Sequence, residues 1–208
     1  MNITILSGDP GKLRDSFFWV GTEITNNKLY VRMAKRRLGR AYKQVCAEFA
    51  QDSKKHNFTF NLIEANNTGQ FVIEELEQVH HISVIGVTTT KDIKDEKKKH
   101  RVQTMDKNEN VKWVLNMKAE HRMIFPTDEN CSPDMLELKR QIAIFAEHKT
   151  EAGSVAYYAP GTEHDDGVMA LLINCQKAKE YLKVGDRGLY VGNQITEEPE
   201  INYAMGNY

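Results

Sequence analysis

Short runs of β-branched and aromatic residues alternate along this chain with stretches whose apolar positions recur at helical spacing. Five runs typical of strands occupy residues 2–7, 16–24, 28–34, 58–64 and 81–87. Helical spacing predicts one helix over residues 40–55 and a second from a Thr68 cap to about Val79. An Asn26-Asn27 pair predicts a hairpin turn between the second and third strands. This order combines an antiparallel meander with βαβ units, so we expect an α/β fold with a mixed sheet.

The second half of the chain begins with a run dense in charge, residues 92–109. We expect a solvated excursion there, because charge runs usually face water; a basic arm near nucleic acid is the alternative. The later predicted elements are a helix over 108–119, an extended segment over 121–125, a helix over 133–148, a strand over 156–159 and a helix over 164–181. Residues 182–208 lack periodicity and are predicted to form a tail that is loose or partner-dependent.

Composition limits the class of protein. The chain has 208 residues, 40% of them hydrophobic and 27% charged, which suits one globular domain with a substantial core. The net charge of −1 predicts neither nucleic-acid nor membrane binding, so any DNA contact must come from local basic patches. We find no transmembrane run and no signal peptide. The three cysteines are widely spaced, and we expect free thiols in a reducing compartment.

Acidic residues stand where several predicted elements begin or end. Asp9 follows the first strand, Glu64 ends the fourth, and Asp165 and Asp166 open the last helix. Ends of neighbouring strands lie close together in an α/β sheet, and carboxylates gathered there repel unless a cation lies between them. Oxygen ligands favour Mg²⁺ or Mn²⁺, and two such ions about 4 Å apart support phosphodiester hydrolysis.

Each acid also has an ordinary structural interpretation. Asp9 in GDPG is a typical turn residue, Asp15 is compatible with a strand cap or a solvated position, and Glu64 with an exposed strand end. Acids at a helix N-terminus are favoured by the helix dipole, which accounts for one of Asp165 and Asp166 but not for the adjacent pair.

The phase of the last helix leaves its ligand undecided. Asp165 is in line with Val168 and Leu172, Asp166 is in line with Met169 and Ile173, and both lines are apolar. His164 precedes the pair. It is a candidate to orient a carboxylate or move a proton, and equally a candidate for a cap or packing role.

Three segments together resemble the nuclease domain of the terminase large subunit of tailed double-stranded DNA bacteriophages. They are GDPGKLRDSFFWVG (8–21), NLIEANNTGQFVIEEL (61–76) and YYAPGTEHDDGVMALLIN (157–174). The resemblance covers about residues 3–180. It implies an RNase H-like fold over residues 1–181, with a mixed sheet of five or more strands flanked by helices, followed by the 182–208 tail.

The resemblance also implies a metal-dependent endonuclease that cuts viral DNA concatemers with little sequence preference. On this comparison the metal ligands match Asp9, Glu64, Asp165, Asp166 and Asp15. The implied partners are double-stranded DNA, a packaging ATPase domain or subunit, the small terminase subunit and the portal protein, in the host cell cytoplasm and without a membrane. The chain itself has no nucleotide-binding P-loop, because Leu13 stands where that motif needs Ser or Thr.

DNA binding is expected through phosphate contacts, which are salt-sensitive and tolerant of sequence. The candidate cations are Lys12, Arg14, Lys97, Lys98, Lys99 and Arg101. An equal alternative to DNA contact is that these cations are surface residues that serve solubility. Two other functions fit the same sequence: another RNase H-like nuclease such as a Holliday-junction resolvase, and a non-catalytic module that docks DNA or the portal.

Overall fold

The structure, a computed structural model, describes residues 2–11, 16–66, 68–89, 101–149, 155–161 and 163–182. Its strands are β1 (Ile3–Asp9), β2 (Ser16–Thr25), β3 (Lys28–Leu38), β4 (Phe60–Glu64), β5 (Ile85–Thr88), β6 (Val102–Thr104), β7 (Met123–Ile124), β8 (Ala146–Lys149) and β9 (Val155–Tyr158). Its helices are α1 (Tyr42–Lys55), α2 (Gly69–Gln78), α3 (Lys107–Ala119), α4 (Pro133–Ile144) and α5 (Asp166–Ala178), with a short 3₁₀ helix at Asp128–Asn130.

Seven strands form one mixed sheet in the order β6-β5-β4-β1-β2-β3-β7. The meander β1-β2-β3 is antiparallel, whereas β4, β5 and β6 extend from β1 in parallel. Asn26 and Asn27 form the hairpin turn with φ of 50° and 59°. Asparagine tolerates this left-handed geometry, which matches the twist of the flanking strands. The expected α/β class and mixed sheet are confirmed.

Helices cover both faces of the sheet. On one face, Ile5, Phe18 and Leu62 pack in a core with α3, α4 and α5. On the other face, their chain neighbours, such as Leu6 and Ile63, pack with α1 and α2. Successive side chains of a strand point to opposite faces, so a central strand buried on both faces is apolar throughout. This explains why β1 and β2 lack a clear alternation.

Helix α5 lies at the centre of the first face. Every residue from Asp166 to Cys175 is buried. Asn174 ties the helix to the meander: its amide donates to the Ile5 carbonyl at 3.0 Å, and its oxygen accepts from the Thr22 hydroxyl at 2.6 Å. The Ser7 hydroxyl donates to the Ala170 carbonyl at 2.8 Å. These buried bonds fix the position of α5 relative to β1 and β2.

Two sequence predictions are wrong in part. The helix predicted over 133–148 ends at Ile144, because the fully buried Phe145 adopts an extended backbone and β8 follows, paired with β9. The excursion predicted over 92–109 contains the edge strand β6 and the start of α3; its residues 92–100 lie outside the described ones. In both places pairing with another strand overrides the local pattern.

Other boundaries differ by a few residues. Strand β1 extends through Asp9, whereas β5 begins only at Ile85, and the extended segment over 121–125 contributes two residues as β7. Among the residues that the structure describes, no helix combines the length and apolar composition needed to cross a membrane. The predicted tail lies outside the described residues, apart from Leu182.

Candidate metal centre

The ends of two parallel strands bring Asp9 and Glu64 together. Each is the last residue of its strand, β1 or β4. The register pairs Gly8 with Ile63, so the next step along both strands sets Asp9 beside Glu64. Because side chains alternate, Asp9 shares a face with Ile5 and Glu64 shares one with Leu62, which is the face covered by α5. Two carboxyl groups therefore meet at one edge of the sheet.

Asp9 is almost completely buried, at 5% exposure. Burial raises the pKa of Asp9 well above its usual range, and the charge of Glu64 and, more weakly, of Asp166 raises it further. The Gly11 amide donates to Asp9 Oδ1 at 2.9 Å, which opposes this shift. Hydrogen bonding between the Asp9 and Glu64 side chains also raises the pKa of Asp9.

Asp166 supplies a third carboxylate from the first residue of α5. It is buried at 9% exposure and accepts a hydrogen bond from the Ser16 hydroxyl, at the start of β2, at 2.5 Å. The next residue is pinned as well, since the Gly167 amide donates to Gln141 Oε1 of α4 at 2.8 Å. A Cβ on Gly167 would lie 2.8 Å from the same oxygen, so the close contact favours glycine. The start of α5 is thus held by β2 and α4.

Asp165 faces a different neighbour from Asp166. Its carboxylate lies 3.7 Å from Lys107 Nζ, at the start of α3, and its side chain is 31% exposed. Lys107 Nζ also lies 5.1 Å from the centroid of the Phe145 ring. Asp165 is therefore charge-paired, whereas Asp166 faces Asp9. His164 is half-buried and makes no hydrogen bond with another described residue.

A polar residue that the sequence interpretation missed supports Glu64. Asn66 Nδ2 donates to Glu64 Oε1 at 2.9 Å, and Asn66 Oδ1 accepts from the Thr88 hydroxyl, at the end of β5, at 2.9 Å. The start of α2 also presses on this loop: a Cβ on Gly69 would overlap the Glu64 carbonyl oxygen. The Asn pair after Glu64 was the available signal, because asparagine beside a strand-end carboxylate is a candidate partner. Ser16 and Lys107 gave no such signal.

Most of the predicted DNA-contacting cations cannot be placed. Lys12, Arg14, Lys97, Lys98 and Lys99 lie outside the described residues, as does the candidate ligand Asp15. Arg101 is exposed, and its carbonyl accepts from the Gly86 amide at 2.8 Å next to β5. In the described part of the chain, Lys107 is a cation that contacts the acidic group, through Asp165.

The three carboxylates form an open arrangement. Within the described residues, no three His, Cys, Asp or Glu side chains stand close enough to enclose a metal ion as they are. Asp9 and Glu64 touch each other, and Asp166 interacts with Asp9 through charge. Mg²⁺ is usually bound by one or two carboxylates, with waters and substrate oxygens completing its octahedron, rather than by an all-protein cage. The carboxylate oxygens of Asp9, Glu64 and Asp166 are therefore donors of the kind that would hold a divalent ion.

Comparison with known proteins identifies the fold. No family model matches the chain, and no curated protein matches it. Among solved structures, the large terminase nuclease from thermophilic phage G20c with bound magnesium has a TM-score of 0.64 at 16% identity, over 85% of this chain and 82% of that one. The Thermus phage P74-26 large terminase nuclease domain has a TM-score of 0.60 at 16% identity, over 86% and 80%.

A longer protein shows the same likeness. The large terminase from another thermophilic bacteriophage has a TM-score of 0.61 at 12% identity, over 84% of this chain but 39% of that one. The chain therefore has the fold of the large terminase nucleases and spans about two fifths of this longer terminase. The RNase H-like architecture expected from the sequence resemblance is confirmed.

Proposed function

We propose that this protein is a divalent-metal-dependent endonuclease that cuts double-stranded viral DNA concatemers during genome packaging. The observation that carries the proposal is the meeting of Asp9, Glu64 and Asp166, from β1, β4 and α5, on one face at one edge of the sheet. The likeness of the fold to large terminase nucleases supports it, since one of those was solved with magnesium and the same domain also with cobalt.

The charge balance of the cluster supports a cation. The pKa of Asp9 is raised by burial and by the charge of Glu64, so a counter-charge is needed to favour the ionised form of Asp9. Their oxygens suit Mg²⁺ or Mn²⁺, and we propose that two such ions bind. Bound divalent ions supply activation of water and stabilisation of the leaving oxygen in phosphodiester cleavage.

The residues of the chain have separate roles in this proposal. Asp9, Glu64 and Asp166 would hold the divalent cations through their carboxylate oxygens. The Ser16 hydroxyl and the Gly11 amide hold one oxygen of Asp166 and of Asp9, respectively. Asp165, paired with Lys107, is assigned to charge balance rather than to ligation. His164 is assigned no step.

DNA is held through its phosphates. Lys107 lies beside Asp165, next in sequence to Asp166, so its ammonium group is close to where a bound phosphodiester must lie. We include Lys12, Arg14, Lys97, Lys98, Lys99 and Arg101 as further phosphate contacts. A packaging ATPase domain or subunit, the small terminase subunit and the portal belong to the proposal as partners, in the host cell cytoplasm. The longer large terminase was solved with ATP-gamma-S, which supports an ATPase partner.

Cleavage of supercoiled plasmid tests the function. We expect nicked and linear products with Mn²⁺ or Mg²⁺ and none with EDTA. Asp9→Ala and Asp166→Asn abolish cleavage, whereas Asp165→Asn retains more of it than Asp166→Asn. Asp128→Asn is the matched control, because the Asp128 side chain is 78% exposed and pairs with Lys139.

Three outcomes contradict the proposal in different ways. Unchanged cleavage in Asp9→Ala rejects the assigned site. DNA binding without nicking at any metal concentration favours a docking module. Cleavage of a four-way junction in strong preference to plain duplex favours a junction resolvase.

A further inference from the structure

The hydrogen bond from Asn66 to Glu64 orients a carboxylate through a neutral donor, whereas an ion pair also offsets the charge. Glu64 is a half-buried side chain at the end of β4, and Asn66 Nδ2 holds its Oε1 at 2.9 Å. Asparagine is neutral, so this bond fixes one carboxylate oxygen without cancelling the charge. By contrast, Lys107 pairs with Asp165 and offsets its charge. A metal ligand needs a fixed orientation and an intact negative charge, and the Asn66 contact supplies both.

The orientation of the Asn66 amide is itself determined by neighbours. Its Oδ1 accepts from the Thr88 hydroxyl at 2.9 Å, and Nδ2 also donates to the Thr89 hydroxyl at 3.2 Å. Thr88 is completely buried. Reversing the amide would point its oxygen at the Glu64 carboxylate, which repels it, so the NH₂ group faces Glu64. The last residue of β5 therefore acts on Glu64 through Asn66.

We propose that Asn66 is a positioning residue that orients Glu64 for metal binding, with Thr88 setting the direction of its amide. This inference rests on the proposed function, in which Glu64 is a metal ligand. Asn66 holds only Oε1, so the other carboxylate oxygen of Glu64 would be available to a cation. Partners of this kind usually change metal affinity by about 10–100-fold when they are removed, because the ligand must then be ordered on binding.

Mn²⁺ titration calorimetry on the whole chain tests the inference. We expect Asn66→Ala to bind Mn²⁺ about 10–100-fold more weakly than the wild type. Thr88→Val, which is nearly isosteric and removes the hydroxyl that donates to Asn66 Oδ1, weakens binding by a smaller factor. The double variant binds no more weakly than Asn66→Ala alone, because both changes act through one bond. Plasmid cleavage by Asn66→Ala recovers when the Mn²⁺ concentration is raised.

Asn130→Ala is the control, since Asn130 also donates a side-chain bond, to Thr127 at 2.9 Å, but on the exposed 3₁₀ helix. We expect wild-type affinity for it. Melting curves identify any variant that does not fold. If Asn66→Ala does not fold, the Mn²⁺ affinity of Thr88→Val tests the inference instead. Wild-type Mn²⁺ affinity in the folded variants overturns the inference alone. Absence of Mn²⁺ binding by the wild type overturns the proposed function and the inference together.

Discussion

Replacing Asp9 by asparagine should stabilise the protein in EDTA and remove its stabilisation by Mn²⁺. The change keeps the shape of the side chain and the acceptor for the Gly11 amide, but removes one charge from a nearly buried position. Because burial and Glu64 raise the pKa of Asp9, the folded protein binds more protons than the unfolded chain between the unfolded pKa of about 3.9 and the folded value. Wild-type stability therefore falls as pH rises through that window.

The size of the effect follows from the same linkage. Each pKa unit of upward displacement removes about 1.4 kcal/mol from wild-type stability above the folded pKa. At about 2–4 °C per kcal/mol for a chain of this length, this corresponds to a melting temperature about 3–6 °C lower for each pKa unit. Asp9→Asn does not lose this stability, because its amide does not ionise. A saturating ligand at about 100 times its Kd adds about 2.7 kcal/mol, so Mn²⁺ should raise the wild-type melting temperature by about 5–11 °C.

Differential scanning calorimetry of both proteins at about pH 7.5, in EDTA and in Mn²⁺, measures this directly, since that pH lies well above the unfolded pKa of Asp9. We expect Asp9→Asn to melt higher in EDTA, and its advantage to shrink or reverse in Mn²⁺. Asp128→Asn, at an exposed position, should match the wild type in both buffers. The reasoning is refuted if the wild type melts at or above Asp9→Asn in EDTA, or if Mn²⁺ raises both melting temperatures equally.

Three further changes test other parts of the structure. Lys107→Gln should weaken DNA binding and reduce the slope of log K against log[salt] by about 0.9, measured by fluorescence anisotropy, with little change in Mn²⁺ affinity; an unchanged slope excludes a phosphate contact. Gly69→Ala should lower the urea midpoint by the equivalent of about 1–3 kcal/mol, because its Cβ would overlap the Glu64 carbonyl. Bonds from Arg140 lower the pKa of Glu137, so its contribution to stability is present above the unfolded value of about 4.3 and is lost as pH falls through the folded value. Glu137→Gln should therefore show a shallower acid destabilisation in urea titrations from about pH 6 to about pH 3, and a wild-type slope would contradict this.

Local pattern was sufficient for the central part of the fold. The β-rich runs predicted β1 to β4, and the asparagine pair predicted the hairpin between β2 and β3, because strand propensity and turn geometry depend on neighbouring residues. The strand-end positions of Asp9 and Glu64 were also visible, since each acid follows an apolar run. Together with the resemblance, these features predicted the α/β class and an acidic site at the sheet edge.

The local hydrophobic pattern predicted the wrong secondary structure where strand pairing or core packing decides it. Phe145 ends α4 one helical turn early because its ring is buried in the core and β8 pairs with β9. The short strand β6 was hidden in a charged run, because its pairing with β5 is a tertiary contact. In each case the outcome depends on strand pairing or core packing, which the local hydrophobic pattern does not specify.

The adjacent aspartates Asp165 and Asp166 show the same contrast between local sequence and tertiary packing at the site. The sequence by itself determined that two acids open a helix that is apolar on nearly every side, and so both were candidates. Only the tertiary structure decided between them: the bonds of α5 to β1, β2 and α4 turn Asp166 toward Ser16 and Asp9, and leave Asp165 to Lys107. The physical reason is that a helix buried on all sides has apolar residues in every direction, so its sequence does not indicate which side faces the site. The rotation of the helix about its axis is set by the packing of the elements around it.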